Sequence, residues 1–85
     1  MDHTLTVGQT ARLVKSIVKA SVALTYTGMS DPDTYTVAVW WSYGNNSLSY
    51  NMYLSIDQKK FDVPKGTIYV EMVNRGMIKF EFRQA

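Results

Sequence analysis

Residues 35–56 read YTVAVWWSYGNNSLSYNMYLSI, and the alternation inside this stretch decides the fold class. Tyr35, Val37, Val39, Trp41 and Tyr43 alternate with Thr36, Ala38, Trp40 and Ser42. After a gap, Leu48, Tyr50, Met52, Leu54 and Ile56 alternate with Ser49, Asn51, Tyr53 and Ser55. A period of two sends successive side chains to opposite faces of an extended chain, so each run is a strand with one face toward a core. The Val, Thr, Tyr and Trp content suits a pleated, half-buried surface. Gly44-Asn45-Asn46-Ser47 between the runs is a loop of turn formers. Closing the hairpin there sets Tyr43 opposite Leu48, Trp41 opposite Tyr50, Val39 opposite Met52 and Val37 opposite Leu54. Ser42 then meets Ser49, and Thr36 meets Ser55, on the other face. A slip of one residue would set apolar against polar throughout.

The same logic extends in both directions. Upstream, Val18, Ala20, Val22, Leu24 and Tyr26 alternate with Lys19, Ser21, Ala23 and Thr25. A loop over Gly28–Asp33 then places Tyr26 opposite Tyr35 and Leu24 opposite Val37, making a three-stranded meander. Downstream, Asn74-Arg75-Gly76 has the length and composition of a type I turn ending in a glycine bulge, with Gly76 left-handed. This hairpin pairs Met72 with Ile78, Val70 with Phe80 and Ile68 with Phe82 on the core face. Glu71 lies opposite Lys79 on the outer face, beside Tyr69, Val73 and Met77. Phe61-Asp62-Val63 reads as a short strand, followed by a turn with Pro64 in its second position. Leu5 and Val7 suggest an edge strand before Gly8. Residues 11–17 fit two descriptions. Leu13, Val14, Ile17 and Val18 have helical spacing, with Arg12, Lys15 and Lys19 opposite; alternatively a bulge near Lys15-Ser16 flips the parity of one long strand, which is the preferred reading. The expected architecture is all-β, a single domain over 1–85: a small antiparallel sandwich or partly open barrel of six to seven strands.

Composition narrows the function classes. Of the 85 residues 46% are apolar and 19% charged, which excludes a disordered tail. No apolar run is long enough for a transmembrane helix, so no membrane partner is expected. There is no cysteine, and therefore no disulfide framework, thiolate metal site or cysteine nucleophile. The N-terminal residues lack the basic and apolar regions of a secretory signal, which points to the cytoplasm.

Enzyme signals are quickly exhausted. The one histidine, His3, lies in a segment expected to fray, so no Ser-His-Asp arrangement is anticipated. Asp31 and Asp33 flank Pro32 and read as turn residues rather than as a carboxylate pair or calcium site. The glycines are scattered singly, without a phosphate-binding loop. No catalytic residue, cofactor or metal is expected.

The chain does carry six Tyr, two Trp and three Phe. Small β domains bind single-stranded nucleic acid by stacking bases on such side chains within a basic groove. Here Asp31 and Asp33 are the only charges between Ala20 and Ile56, while the candidate phosphate contacts Lys15, Lys19, Lys59 and Lys60 lie outside that segment. Nucleic acid is thus the less favoured ligand. The non-core face of the central hairpin is the feature that stands out. It displays Thr36, Ser42, Ser49, Asn51, Trp40 and Tyr53 with no Lys or Glu, and the expected register makes Trp40 and Tyr53 diagonal neighbours. Neutral, aromatic, hydroxyl-rich surfaces are typical of protein contacts. The expectation is a non-enzymatic structural or interaction domain that binds a protein partner or itself, as a homo-oligomer. The alternative is a ligand-binding module stacking carbohydrate or single-stranded nucleic acid. A second sheet covering that face would instead make Trp40 and Tyr53 ordinary core.

Overall fold

The computed structural model describes residues 2–15 and 20–85, with Lys15 described by its backbone alone. The strands are β1 (Asp2–Thr6), β2 (Thr10–Lys15), β3 (Ala20–Asp31), β4 (Thr34–Tyr43), β5 (Asn46–Ser55), β6 (Lys60–Val63), β7 (Gly66–Val73) and β8 (Met77–Gln84). They form two four-stranded antiparallel sheets, ordered β1-β8-β7-β6 and β2-β3-β4-β5, packed as a sandwich. Eight strands replace the expected six or seven. The extra one comes from the ambiguous segment: residues 10–15 pair antiparallel with β3 as a strand of their own, and the register shift lies between Arg12 and Val14. The helical alternative is excluded for residues 11–15, and residues 16–19, including the expected bulge at Ser16, lie outside the described residues.

The core forms where the inner faces meet. Leu24, Tyr26, Tyr35, Val37, Val39 and Leu54 face Ile68, Val70, Ile78, Phe80 and Phe82, all buried. Two of these carry polar atoms into the core. The Tyr26 hydroxyl donates to the Asn74 carbonyl in the β7–β8 turn and the Tyr35 hydroxyl to the Gln58 carbonyl in the segment that joins the two sheets. A buried hydroxyl without such a partner would cost about 1–3 kcal/mol.

Three registers depart from expectation, for local reasons. In the β4–β5 hairpin Tyr43 pairs with Asn46, Trp41 with Leu48, Val39 with Tyr50 and Val37 with Met52, so the loop is Gly44-Asn45 rather than four residues. Gly44 has φ +60° at the first central position, as a type II′ turn requires, and such turns match strand twist. The shift is two residues and preserves the faces. Upstream, Asp31 pairs with Thr34 and Leu24 with Val39, because β3 absorbs bulges at Thr27 and Ser30 instead of ending at Gly28. At the third hairpin Val70–Phe80 and Ile68–Phe82 form as expected, but a bulge at Glu71 pairs Val73 with Ile78 and Met72 with Lys79. Val73 is therefore buried and Met72 exposed, reversing the expected faces. Gly76 is not left-handed; the Asn74 Oδ1 accepts from the N–H groups of Gly76 and Met77 and closes the turn instead. The expected Glu71–Lys79 ion pair is present at 3.5 Å.

The sheets differ in length. Strands β3 to β5 run 10–12 residues and their opposite numbers 4–8, so the β4–β5 hairpin overhangs the other sheet. Inner-face Tyr43 and Leu48 at that end are about half exposed in consequence.

Candidate interaction surface

Cross-strand registers assemble the outer face of the β2-β3-β4-β5 sheet row by row. One row runs Arg12, Ala23, Trp40, Ser49; the next runs Thr10, Thr25, Ala38, Asn51; Thr36 and Tyr53 lie in the row beyond. Trp40 is 52% exposed and Tyr53 70%, so nothing in the described chain covers this face and neither aromatic belongs to the core. The corrected register also separates them. Trp40 faces Ser49 and Tyr53 faces Thr36, with the Ala38–Asn51 row between, so they are not diagonal neighbours.

Each aromatic borders its own shallow depression. One of about 500 Å³ is lined by Arg12, Ser21, Trp40, Ser42 and Ser49 among others. A second, of about 360 Å³, is lined by Thr27, Met29, Thr36, Asn51 and Tyr53. Many hydroxyls between them are already engaged. Thr10 bonds Thr25 at 2.6 Å, Ser21 bonds Ser42 at 2.7 Å, and Thr27 bonds Thr36 at 2.6 Å. Thr36 also donates to the Gly28 carbonyl and is 9% exposed, so of the six candidate contacts it is the one covered by its neighbours on that face. Trp40, Ser49, Asn51 and Tyr53 are all exposed.

The outer face of the other sheet is built differently. There Lys60 and Arg83 lie over the Tyr69 ring at 5.7 and 4.6 Å from its centroid, Arg83 pairs with Glu81, and Lys79 pairs with Glu71. Alternating charge of this kind is an ordinary solvated surface. Lys60 thus belongs to the sheet opposite Trp40, and Lys59, whose carbonyl accepts from Val70, enters that same sheet. The side chain of Lys15 and all of Lys19 lie outside the described residues. Of the basic residues proposed for nucleic acid, Lys59 and Lys60 are therefore not beside the aromatics. Among the described residues, Arg12 is a cation that lines the Trp40 depression. Sequence reading missed it because its position depends on β2 being a separate strand paired with β3.

Titratable groups contribute little chemistry here. Burial raises the Tyr50 pKa, and burial followed by the neighbouring Tyr26 raises that of Tyr35 to about 12. His3 is not frayed: it sits in β1, stacked on Phe80 at 5.2 Å, and burial lowers its pKa. Asp31 accepts from the Asp33 N–H at 2.8 Å, the turn role expected of it. No helix among the described residues is long and apolar enough to cross a membrane. Compared with known proteins, the chain matches no family model, no curated protein and no solved structure.

Proposed function

We propose that this chain is a non-enzymatic interaction domain that assembles with protein, first of all with copies of itself, through the outer face of the β2-β3-β4-β5 sheet. The observation that carries the reading is the contrast between the two outer faces: one laced with charge, the other neutral along β4 and β5 with Trp40 and Tyr53 exposed. Large aromatics in a charge-depleted setting are the usual anchors of protein interfaces, because they bury much area at low entropic cost. Small domains with thin cores also gain stability from association.

The test is light scattering after size exclusion over a range of concentrations, on the wild type and Trp40→Lys. The variant should keep its fold and show a lower association mass. Identical masses at every concentration would overturn the assignment of this face. A second reading draws on the Trp40 depression, where a sugar ring would stack on the indole and bond to Ser49 and Arg12. A glycan that quenches Trp fluorescence in the wild type, with no salt dependence, would favour it.

A further inference from the structure

Three of the four sheet edges are guarded against pairing with another chain. β1 is five residues long and carries Asp2 and His3; β6 is four residues long and carries Lys60 and Asp62; β2 carries Arg12 and is broken by its bulge. Short length, charge and bulges are the ordinary means of blunting an edge. β5 has none of them. It is ten residues long, its ladder to β4 runs without a register shift, and no charged residue or proline occurs from Thr34 to Ile56.

The backbone groups left over on β5 can be identified. The Ile56 N–H donates to the Asp33 carbonyl at 2.7 Å, so even-numbered residues of this ladder turn their N–H and C=O toward β4. The odd residues Ser47, Ser49, Asn51, Tyr53 and Ser55 turn theirs to the open edge. Symmetry then limits what a second copy can do. An antiparallel pair of identical strands is related by a two-fold axis perpendicular to the sheet, which keeps inner faces on one side and requires odd residues to meet odd. Centring the axis on Asn51 pairs Asn51 with itself, Ser49 with Tyr53 and Ser47 with Ser55. Every free edge group is then used, for about ten new hydrogen bonds. The inner face pairs Tyr50 with Met52 and Leu48 with Leu54. Self-pairing sets a strand against its own charges, and this strand has none.

We infer that β5 pairs antiparallel with β5 of a second copy about Asn51, joining the two neutral faces into one eight-stranded sheet. The inference rests on the self-assembly reading in one respect only, that the partner is the same chain. It also completes the surface. Across the seam the row Arg12, Ala23, Trp40, Ser49 continues into Tyr53 of the second copy. The two aromatics that one chain holds apart come to share a row, two strand spacings or about 10 Å from each other at the backbone.

Asn51→Pro tests the edge bonds; because the Asn51 side chain also lies on the neutral face, Asn51→Ala, which keeps the N–H, is its control and should dimerise like the wild type. Asn51→Pro deletes an edge N–H while leaving the bonds to β4, and proline is tolerated where an edge strand faces outward. The two-fold axis removes two donors at once, so dimerisation should weaken on the order of thirtyfold. Trp40→Lys, which removes the face anchor and so lowers the association mass, should lower it no further than an edge-paired dimer of twice the 9.7 kDa chain mass. If Asn51→Pro unfolds, wild-type amide exchange decides instead: amides of 47, 49, 51, 53 and 55 should gain protection as concentration rises, while even-numbered amides are protected throughout. A dimer lost in Trp40→Lys but intact in Asn51→Pro would overturn the edge and leave the face reading standing. Concentration-independent exchange at the odd amides of an associated sample would overturn the edge. So would a wild type that stays monomeric at every concentration.

Discussion

Replacing Tyr35 by Phe isolates the polar link that crosses the core. Tyr35 has no exposed surface, and its hydroxyl donates to the Gln58 carbonyl just before β6. The substitution keeps the ring, so no cavity opens; it removes one hydrogen bond and leaves a carbonyl that solvent can partly reach. A loss of about 1 kcal/mol at pH 7 follows, or a fall of roughly 4–8 °C in Tm for a domain of this size. Alkaline pH reverses the comparison. The Tyr35 pKa is raised from 10.0 to about 12, chiefly by burial. A raised folded-state pKa confers stability that is complete below the unfolded value and drains away as pH climbs from 10 toward 12. The full effect is about 3 kcal/mol, and roughly 1 kcal/mol of it is gone by pH 11. Tyr35→Phe has no such loss at this position. Urea titrations followed by tryptophan fluorescence should therefore show the wild type more stable at pH 7, with the gap closing near pH 11. A gap that is absent at pH 7, or constant from pH 7 to 11, would refute the reasoning.

Other substitutions test the remaining structure. A Cβ at Gly66 would lie 2.4 Å from the Arg83 carbonyl oxygen and 2.6 Å from the Phe82 ring. Gly66→Ala should thus cost about 2 kcal/mol in a chemical melt, whereas at Gly76 the nearest atom is 3.6 Å away and Gly76→Ala should change the melt little. Met72→Lys should be tolerated and Val73→Lys should unfold the domain, as measured by circular dichroism; equal effects would mean the bulge at Glu71 is misplaced. Burial holds the His3 pKa below 6.5, so the neutral ring favours the fold, and stability should fall as pH drops below 6.5. His3→Phe should flatten that part of the pH profile while keeping a ring stacked on Phe80.

Much of the fold is legible because alternation is a local property. Tyr35 to Tyr43 and Leu48 to Ile56 carry their faces in their spacing, and both strands keep those faces although the turn between them is two residues shorter than expected. Parity survives a shift of two; register does not. Whether Asn46 and Ser47 close a loop or extend a ladder depends on a positive φ at Gly44, which composition alone does not decide. Bulges were the least visible feature. Nothing in Val70-Glu71-Met72-Val73 announces that Glu71 breaks the ladder, since burying either Met72 or Val73 satisfies an apolar pattern. The candidate face was readable as a set of residues, but its arrangement was not. Trp40 and Tyr53 stand two rows apart, Thr36 is covered by its neighbours, and Arg12 joins Trp40 from a strand the pattern had merged with its neighbour.

By itself the sequence determined that this chain is all-β, that its hairpins bury Tyr35, Val37, Val39, Ile68, Val70 and Phe80, and that β4 and β5 carry no charge. Each of these follows from side-chain type and a period of two, which act over a few residues. Only the tertiary structure decided that the second sheet packs on the inner face and leaves Trp40 and Tyr53 in solvent, that Lys60 belongs to the opposite surface, and that the uncharged β5 lies at a sheet edge. Those outcomes depend on strand order and on which sheet stacks on which. They arise from contacts between residues far apart in the chain, whose preference for one another no local pattern records.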